Sequence, residues 1–128
     1  MREIKFRAWE ETRKLMFMPG VQDLMIDFEG DVFSVDVDGF EKIDDLKIMQ
    51  YTGLKDKNGK EIYEGDILKV EGSKRRYVVQ WNEEELAFTV YYRYANDDPA
   101  EWILSEFRVV LKTFEVIGNI YENPELIK

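Results

Sequence analysis

The sequence predicts a mainly β protein, with an N-terminal strand and hairpin lobe ahead of a larger β unit. Three observations carry this reading. Apolar residues recur with a period of two. Short polar turns, most of them containing Gly, separate the apolar runs, and helix-start signals are sparse. With 128 residues, 45% of them hydrophobic, the chain has enough apolar material for a core and is not an acidic disordered tail.

Near the start, Ile4, Phe6 and Ala8 alternate with Lys5, Arg7 and Trp9. This predicts a half-buried strand with Phe6 facing the core and Trp9 opposite the apolar face. Residues 32–37 put Phe33, Val35 and Val37 on one face and Ser34 and Asp36 on the other. The Asp38-Gly39 pair that follows predicts a hairpin, because a type I′ turn needs positive φ at both central positions. A second hairpin is predicted at Lys57-Asn58-Gly59-Lys60, between residues 49–54 and 61–63. Further on, residues 66–70, a turn over Glu71-Gly72-Ser73, residues 76–81, a polar turn at 82–85 and residues 86–94 read as a third strand system. In its last strand Phe88, Val90, Tyr92 and Tyr94 share a face, with Thr89, Tyr91 and Arg93 opposite.

Asp98-Pro99 has the form of an N-cap followed by Pro at the first helical position, which suits a helix over residues 100–107. The same stretch also fits a short strand over 102–107, and a helix or irregular turn followed by a strand is the order expected. At the end, Asn123-Pro124-Glu125-Leu126 offers at most one terminal turn. The lobe boundary falls near Asp45, where an acidic segment gives way, so the expected organisation is 1–45 and 46–128.

Charge is unevenly distributed. The chain carries 27 acidic against 18 basic residues, a formal charge of −9. Residues 21–45 contribute 9 acids and 1 base, and residues 77–107 contribute 7 and 1. Between them, residues 46–76 hold 8 bases and 5 acids. Acidic strand faces and turns keep a small β protein soluble; the same layout would also suit an acidic face that docks on a basic partner.

There is no His and no Cys. That excludes a thiol nucleophile, a disulfide, a Ser-His-Asp triad, an N/S zinc site and an imidazole proton shuttle. The expectation is a protein that is not an enzyme and needs no cofactor. The beginning of the chain alternates charged and apolar residues where a leader would have an apolar stretch, and no run is long enough to span a bilayer. A cytoplasmic location is therefore expected.

The segment Met49-Gln50-Tyr51-Thr52-Gly53-Leu54-Lys55-Asp56-Lys57-Asn58-Gly59-Lys60-Glu61-Ile62-Tyr63-Glu64-Gly65-Asp66-Ile67 resembles the central motif of the YopX family of phage and prophage proteins. Glu115-Val116-Ile117-Gly118-Asn119-Ile120-Tyr121-Glu122-Asn123-Pro124-Glu125-Leu126 is similar to that family's closing motif, and Ile4-Lys5-Phe6-Arg7-Ala8-Trp9 to its opening one. The resemblance implies a phage or prophage origin and a small SH3-like β-barrel in the C-terminal two thirds. It implies no catalytic residue, cofactor or metal. Turn chemistry accounts for most of the central motif, since Gly53, Gly59, Gly65 and Gly118 stand where turns, bulges or close strand packing favour a missing side chain.

Four constellations are candidate sites. Ser34, Asp36, Asp38, Gly39 and Asp45 superficially follow a calcium loop, but Lys42 falls among them and the flanking helices are missing, so a hairpin explains them better. Glu61, Glu64 and Asp66 are the carboxylates best placed for magnesium, yet on a strand only Glu64 and Asp66 would share a face. Lys69, Lys74, Arg75 and Arg76, with Tyr77 and Trp81, form a basic and aromatic concentration suited to single-stranded nucleic acid; the net charge opposes it beyond the local patch. Trp9 and Tyr91, read as lying off the apolar faces, are the candidate protein interface. The leading expectation is a protein-interaction module that associates with itself and with a host or phage protein. Single-stranded nucleic-acid binding through residues 69–81 is the alternative.

Overall fold

Short antiparallel strands, joined mostly by tight turns, make up the computed structural model, which describes residues 3–20, 24–92, 100–107 and 112–128. The protein is mainly β, and its helical pieces among the described residues are lone 3-10 turns. In chain order the strands are β1 (Phe6–Glu10), β2 (Leu15–Phe17), β3 (Leu24–Ile26), β4 (Val32–Asp36), β5 (Gly39–Ile43), β6 (Leu46–Lys55), β7 (Glu61–Tyr63), β8 (Asp66–Val70), β9 (Tyr77–Asn82), β10 (Ala87–Tyr92), β11 (Ala100–Ile103) and β12 (Phe114–Asn119). They form sheets of order β2-β1-β6-β7, β3-β4-β5 and β11-β10-β9-β8-β12. The chain divides into two compact units, one of residues 5–49 and one of residues 1–4 with 50–128. It passes from one to the other within β6.

In the first unit, β1 departs from the expected half-buried pattern. Arg7, Ala8, Trp9 and Glu10 are all buried, while Phe6 is 37% exposed. Trp9, expected off the apolar face, is thus an interior residue, and Phe6, expected inside, is the one that meets solvent. Inside the sheet, between β2 and β6, β1 is buried at four successive positions, Arg7 to Glu10, and a strand buried on both faces has no wet face for an alternation to mark. Its buried polar groups are satisfied locally. The Arg7 Nε donates to Met49 Sδ at 3.4 Å, the Trp9 indole donates to Glu11 Oε2 at 2.7 Å, and Glu10 receives Arg13 through both carboxylate oxygens at 2.5 and 2.8 Å.

The β4–β5 hairpin forms as expected, but one residue early. Asp36 pairs with Gly39, so Val37 and Asp38 are the loop residues and the type I′ geometry is not used, since neither has positive φ. Gly39 takes the left-handed conformation at φ 126°, and Asp36 Oδ1 accepts the Asp38 N–H at 2.8 Å. Local side-chain capture of a turn N–H outweighs the preference of the Asp-Gly pair.

The second unit is built on the five-stranded sheet. Ile62, Leu68, Val79, Val90, Leu104 and Phe114 form its buried centre, with Leu54, Tyr77, Phe88 and Trp102 packed around it. In β10 Val90 and Tyr92 are buried and Phe88 packs against the core as expected, but Thr89, expected on the opposite face, is buried as well. Sheet order is linear, and the barrel closure implied by the resemblance would have to join its ends, β11 and β12. The stretch 100–107 reverses the expected order, strand first and 3-10 turn second, β11 followed by Leu104–Phe107. β11 pairs with β10 in register Val90–Trp102, which places Trp102 against the Tyr92 ring at 5.6 Å. Asp98-Pro99, Arg93 and Tyr94 lie outside the described residues.

Candidate functional site

The central motif folds as a scaffold. Asp56 is buried and ties two chain segments together: its Oδ1 accepts the N–H groups of Asn58 and Lys60 at 2.8 and 2.9 Å, and its Oδ2 accepts that of Val116 on β12 at 2.9 Å. Burial by itself would push this carboxyl up; the backbone N–H groups of Val116, Lys60 and Asn58 outweigh it and hold the group below the usual aspartate range. Gly53 sits at a bulge. Between the pairs Tyr51–Tyr63 and Lys55–Glu61, β6 advances four residues while β7 advances two, and Gly53 absorbs the surplus at φ 88°.

Of the acids proposed for magnesium, Glu61 stands across from Lys55 in the β6–β7 register, and Glu64 and Asp66 are engaged by separate backbone groups. Asp66 Oδ2 accepts the Tyr63 N–H at 2.8 Å. Glu64 Oε1 accepts the Gln50 N–H at 2.9 Å, and burial raises its carboxyl above the ordinary glutamate range despite that bond. Among the described residues the carboxylate trio that shares a point is instead Asp27, Glu29 and Asp31, with ligand atoms within 4.8 Å of one another. A turn creates that closeness: Asp27 Oδ1 accepts the N–H groups of Glu29 and Asp31 at 2.9 and 3.0 Å, and the Gly30 N–H reaches the Asp27 carbonyl at 3.1 Å.

The closing motif is similarly structural. A Cβ on Gly118 would lie 2.5 Å from Asn123 Oδ1, the oxygen that accepts the Asn119 N–H at 3.2 Å. Asn119 in turn caps the following turn, its Oδ1 accepting from Tyr121 and Glu122 at 3.1 and 2.8 Å.

The six residues of the basic and aromatic patch do not converge into one stacking platform. Tyr77 packs edge-on against Tyr92 and Phe114 at 5.5 and 5.6 Å, as part of the core. Arg75 already rests over the Tyr92 ring, 4.4 Å from its centroid. Lys69 on β8 stands across from Glu115 on β12. Lys74 is exposed and Arg76 partly so. Trp81 is 45% exposed, with its ring against Phe88 at 5.1 Å. Of the two proposed interface aromatics, Trp9 is buried and Tyr91 is half-buried, across the sheet from Val78 and Glu101. They belong to different units.

A different surface gathers several exposed apolar residues. On the β3-β4-β5 sheet the register aligns Met25, Phe33 and Lys42, and Val35 with Phe40. Residues two apart on a strand share a face, so Met25, Phe33, Val35 and Phe40 form one face. Met25, Val35 and Phe40 are 42%, 38% and 69% exposed, and Phe33 meets Phe40 edge to face at 5.6 Å. The buried side of the sheet is the opposite one, marked by Val32 at 4%. The sequence had grouped Phe33 with Val35 and Val37; it could not say that this apolar-rich face points outward.

No helix among the described residues is long and apolar enough to cross a membrane. A search of the curated proteins finds no match. The family described as YopX protein matches residues 5–128. Among solved structures, the crystal structure of protein EF1440 from Enterococcus faecalis is similar, with 26% identity, a TM-score of 0.58 and full coverage of both chains.

Proposed function

The chain belongs to the YopX family, and from that premise we propose that it is a phage or prophage accessory protein that acts in the cytoplasm through protein contacts and not by catalysis. The observation that carries this reading is the outward apolar face of Met25, Phe33, Val35 and Phe40. Side chains of this size, gathered on one sheet face, mark interaction surfaces. The engagement of Asp56, Glu64 and Asp66 by backbone N–H groups agrees with it, because it gives the motif a folding role. Contacts with a second copy of the chain and with a host or phage protein both fall within the proposal. Size-exclusion chromatography with light scattering is expected to give a mass above 15.3 kDa, and a pull-down from host lysate to retain a specific protein. A monomer that retains nothing would refute the reading.

Nucleic-acid binding through Lys69, Lys74, Arg75, Arg76, Tyr77 and Trp81 has less support. Tyr77 and Tyr92 spend their faces on the core and on Arg75. A gel shift at low salt that Arg75→Glu with Arg76→Glu abolishes would reverse the preference.

A further inference from the structure

We propose that the outward face of the β3-β4-β5 sheet docks a positively charged, apolar-bearing segment of another protein, in preference to a second copy of this chain. The proposal rests on the protein-contact reading above and assigns it a surface and a partner chemistry. The face has an apolar centre. Met25, Phe33, Val35 and Phe40 come from three adjacent strands, and the contact between the Phe33 and Phe40 rings holds two of them in place before any partner arrives.

Both ends of that centre are acidic. Asp27, Glu29 and Asp31 occupy the β3–β4 turn, and Asp44 and Asp45 follow β5 at the same end, because Ile43 pairs with Val32. Asp36 and Asp38 lie at the other end, around the β4–β5 turn. Residues 24–45 hold 8 acids and a single base, Lys42, and Lys42 stands within 3.6 Å of Asp31. An apolar centre with a charged rim is the usual anatomy of a protein interface.

The rim decides between occupants. A second copy laid face to face on this surface, through its own β3-β4-β5 sheet, would bring an equal excess of carboxylates against the first, and like-charge juxtaposition penalises that pairing. An anionic lipid surface meets the same repulsion. A basic segment with two or more large apolar side chains satisfies both the centre and the ends, and its association is steered by the field of the rim.

The test pans a random 12-residue peptide display library on the full chain, with depletion against the Val35→Ser, Phe40→Ser double variant. Circular dichroism first establishes that the double variant keeps the wild-type spectrum; if it does not, Phe40→Ser alone replaces it, since Phe40 is largely in solvent already. Enriched peptides are expected to be net positive with at least two large apolar residues. Their binding should weaken roughly tenfold or more on Phe40→Ser, and also on high salt or on Glu29→Gln, Asp38→Asn, Asp44→Asn, which neutralises the rim without touching the apolar centre. Failure to enrich, or enrichment of neutral or acidic peptides, overturns the proposal. So does sedimentation velocity showing that Phe40→Ser dissolves a wild-type oligomer, which would seat a second copy on the face. If the chain instead self-associates, or retains its partner, unchanged by Phe40→Ser, the protein-contact reading stands and only this assignment fails.

Discussion

Asp56 shows how a recognisable motif can be conformational in content. Its carboxylate accepts three backbone N–H groups from two separate parts of the chain, and Asp56→Ala would leave all three without that acceptor. A loss of about 2–4 kcal/mol is expected in urea denaturation, within the range for charged hydrogen bonds and stranded buried donors. Because its folded pKa is depressed, its contribution is complete above the unfolded aspartate value of roughly 3.9 and disappears as pH falls through the folded value. The alanine variant should therefore lose least, relative to wild type, at the acid end. Glu64 has the opposite sign: burial raises its pKa, so its contribution is present at low pH and is lost as pH rises through the folded value. Glu64→Gln, which keeps an acceptor for Gln50, is expected to gain on wild type as pH rises from about 4 to 7. At Gly118 the constraint is space. Gly118→Ala forces aside the Asn123 amide that accepts the Asn119 N–H, and about 1–3 kcal/mol of stability should be lost, read from the same denaturation curves. The glycines and turn acids were legible in the sequence as turn formers; that Asp56 reaches β12 was not, since 60 residues separate it from Val116.

β1 and β4 illustrate how far an alternation pattern carries at the scale of an element. Both were recognisable as strands, and the pattern sorts the residues of each into two faces by parity. What it could not assign was which face is covered. In β1 both are covered over Arg7 to Glu10, so Trp9→Ala is expected to cost about 3–5 kcal/mol, while Phe6→Ala should cost about 1 kcal/mol or less. Equal losses would show that β1 is not interior. In β4 the more apolar face is the open one, so the residues that a buried-face rule would place in the core are those that a partner would reach. Trp9, read as lying off the apolar face, is buried for the same reason, and the face containing Phe40 was missed because the sequence ties it to a hairpin without showing what lies behind that hairpin.

For the whole molecule, the charge of −9 acts as a field as well as a set of contacts. Self-repulsion opposes the compact state, and salt screens it over about 10 Å at 0.1 M. Raising NaCl from roughly 0.02 to 0.5 M is therefore expected to increase the thermal midpoint by a few degrees, measured by differential scanning calorimetry; a fall would mean that ion pairs such as Arg13–Glu10 outweigh the repulsion. Strand pairing sets acidic residues of the first unit at both ends of an apolar sheet face. By itself the sequence determined the β class, most turns, the motifs and the exclusion of His and Cys chemistry, because periodicity, turn propensity and composition are local properties. Tertiary structure alone decided that Trp9 is interior, that Asp56 binds β12 and that Phe40 faces solvent, because burial depends on which distant strands are laid against a face, and a period of two is the same whichever side they cover.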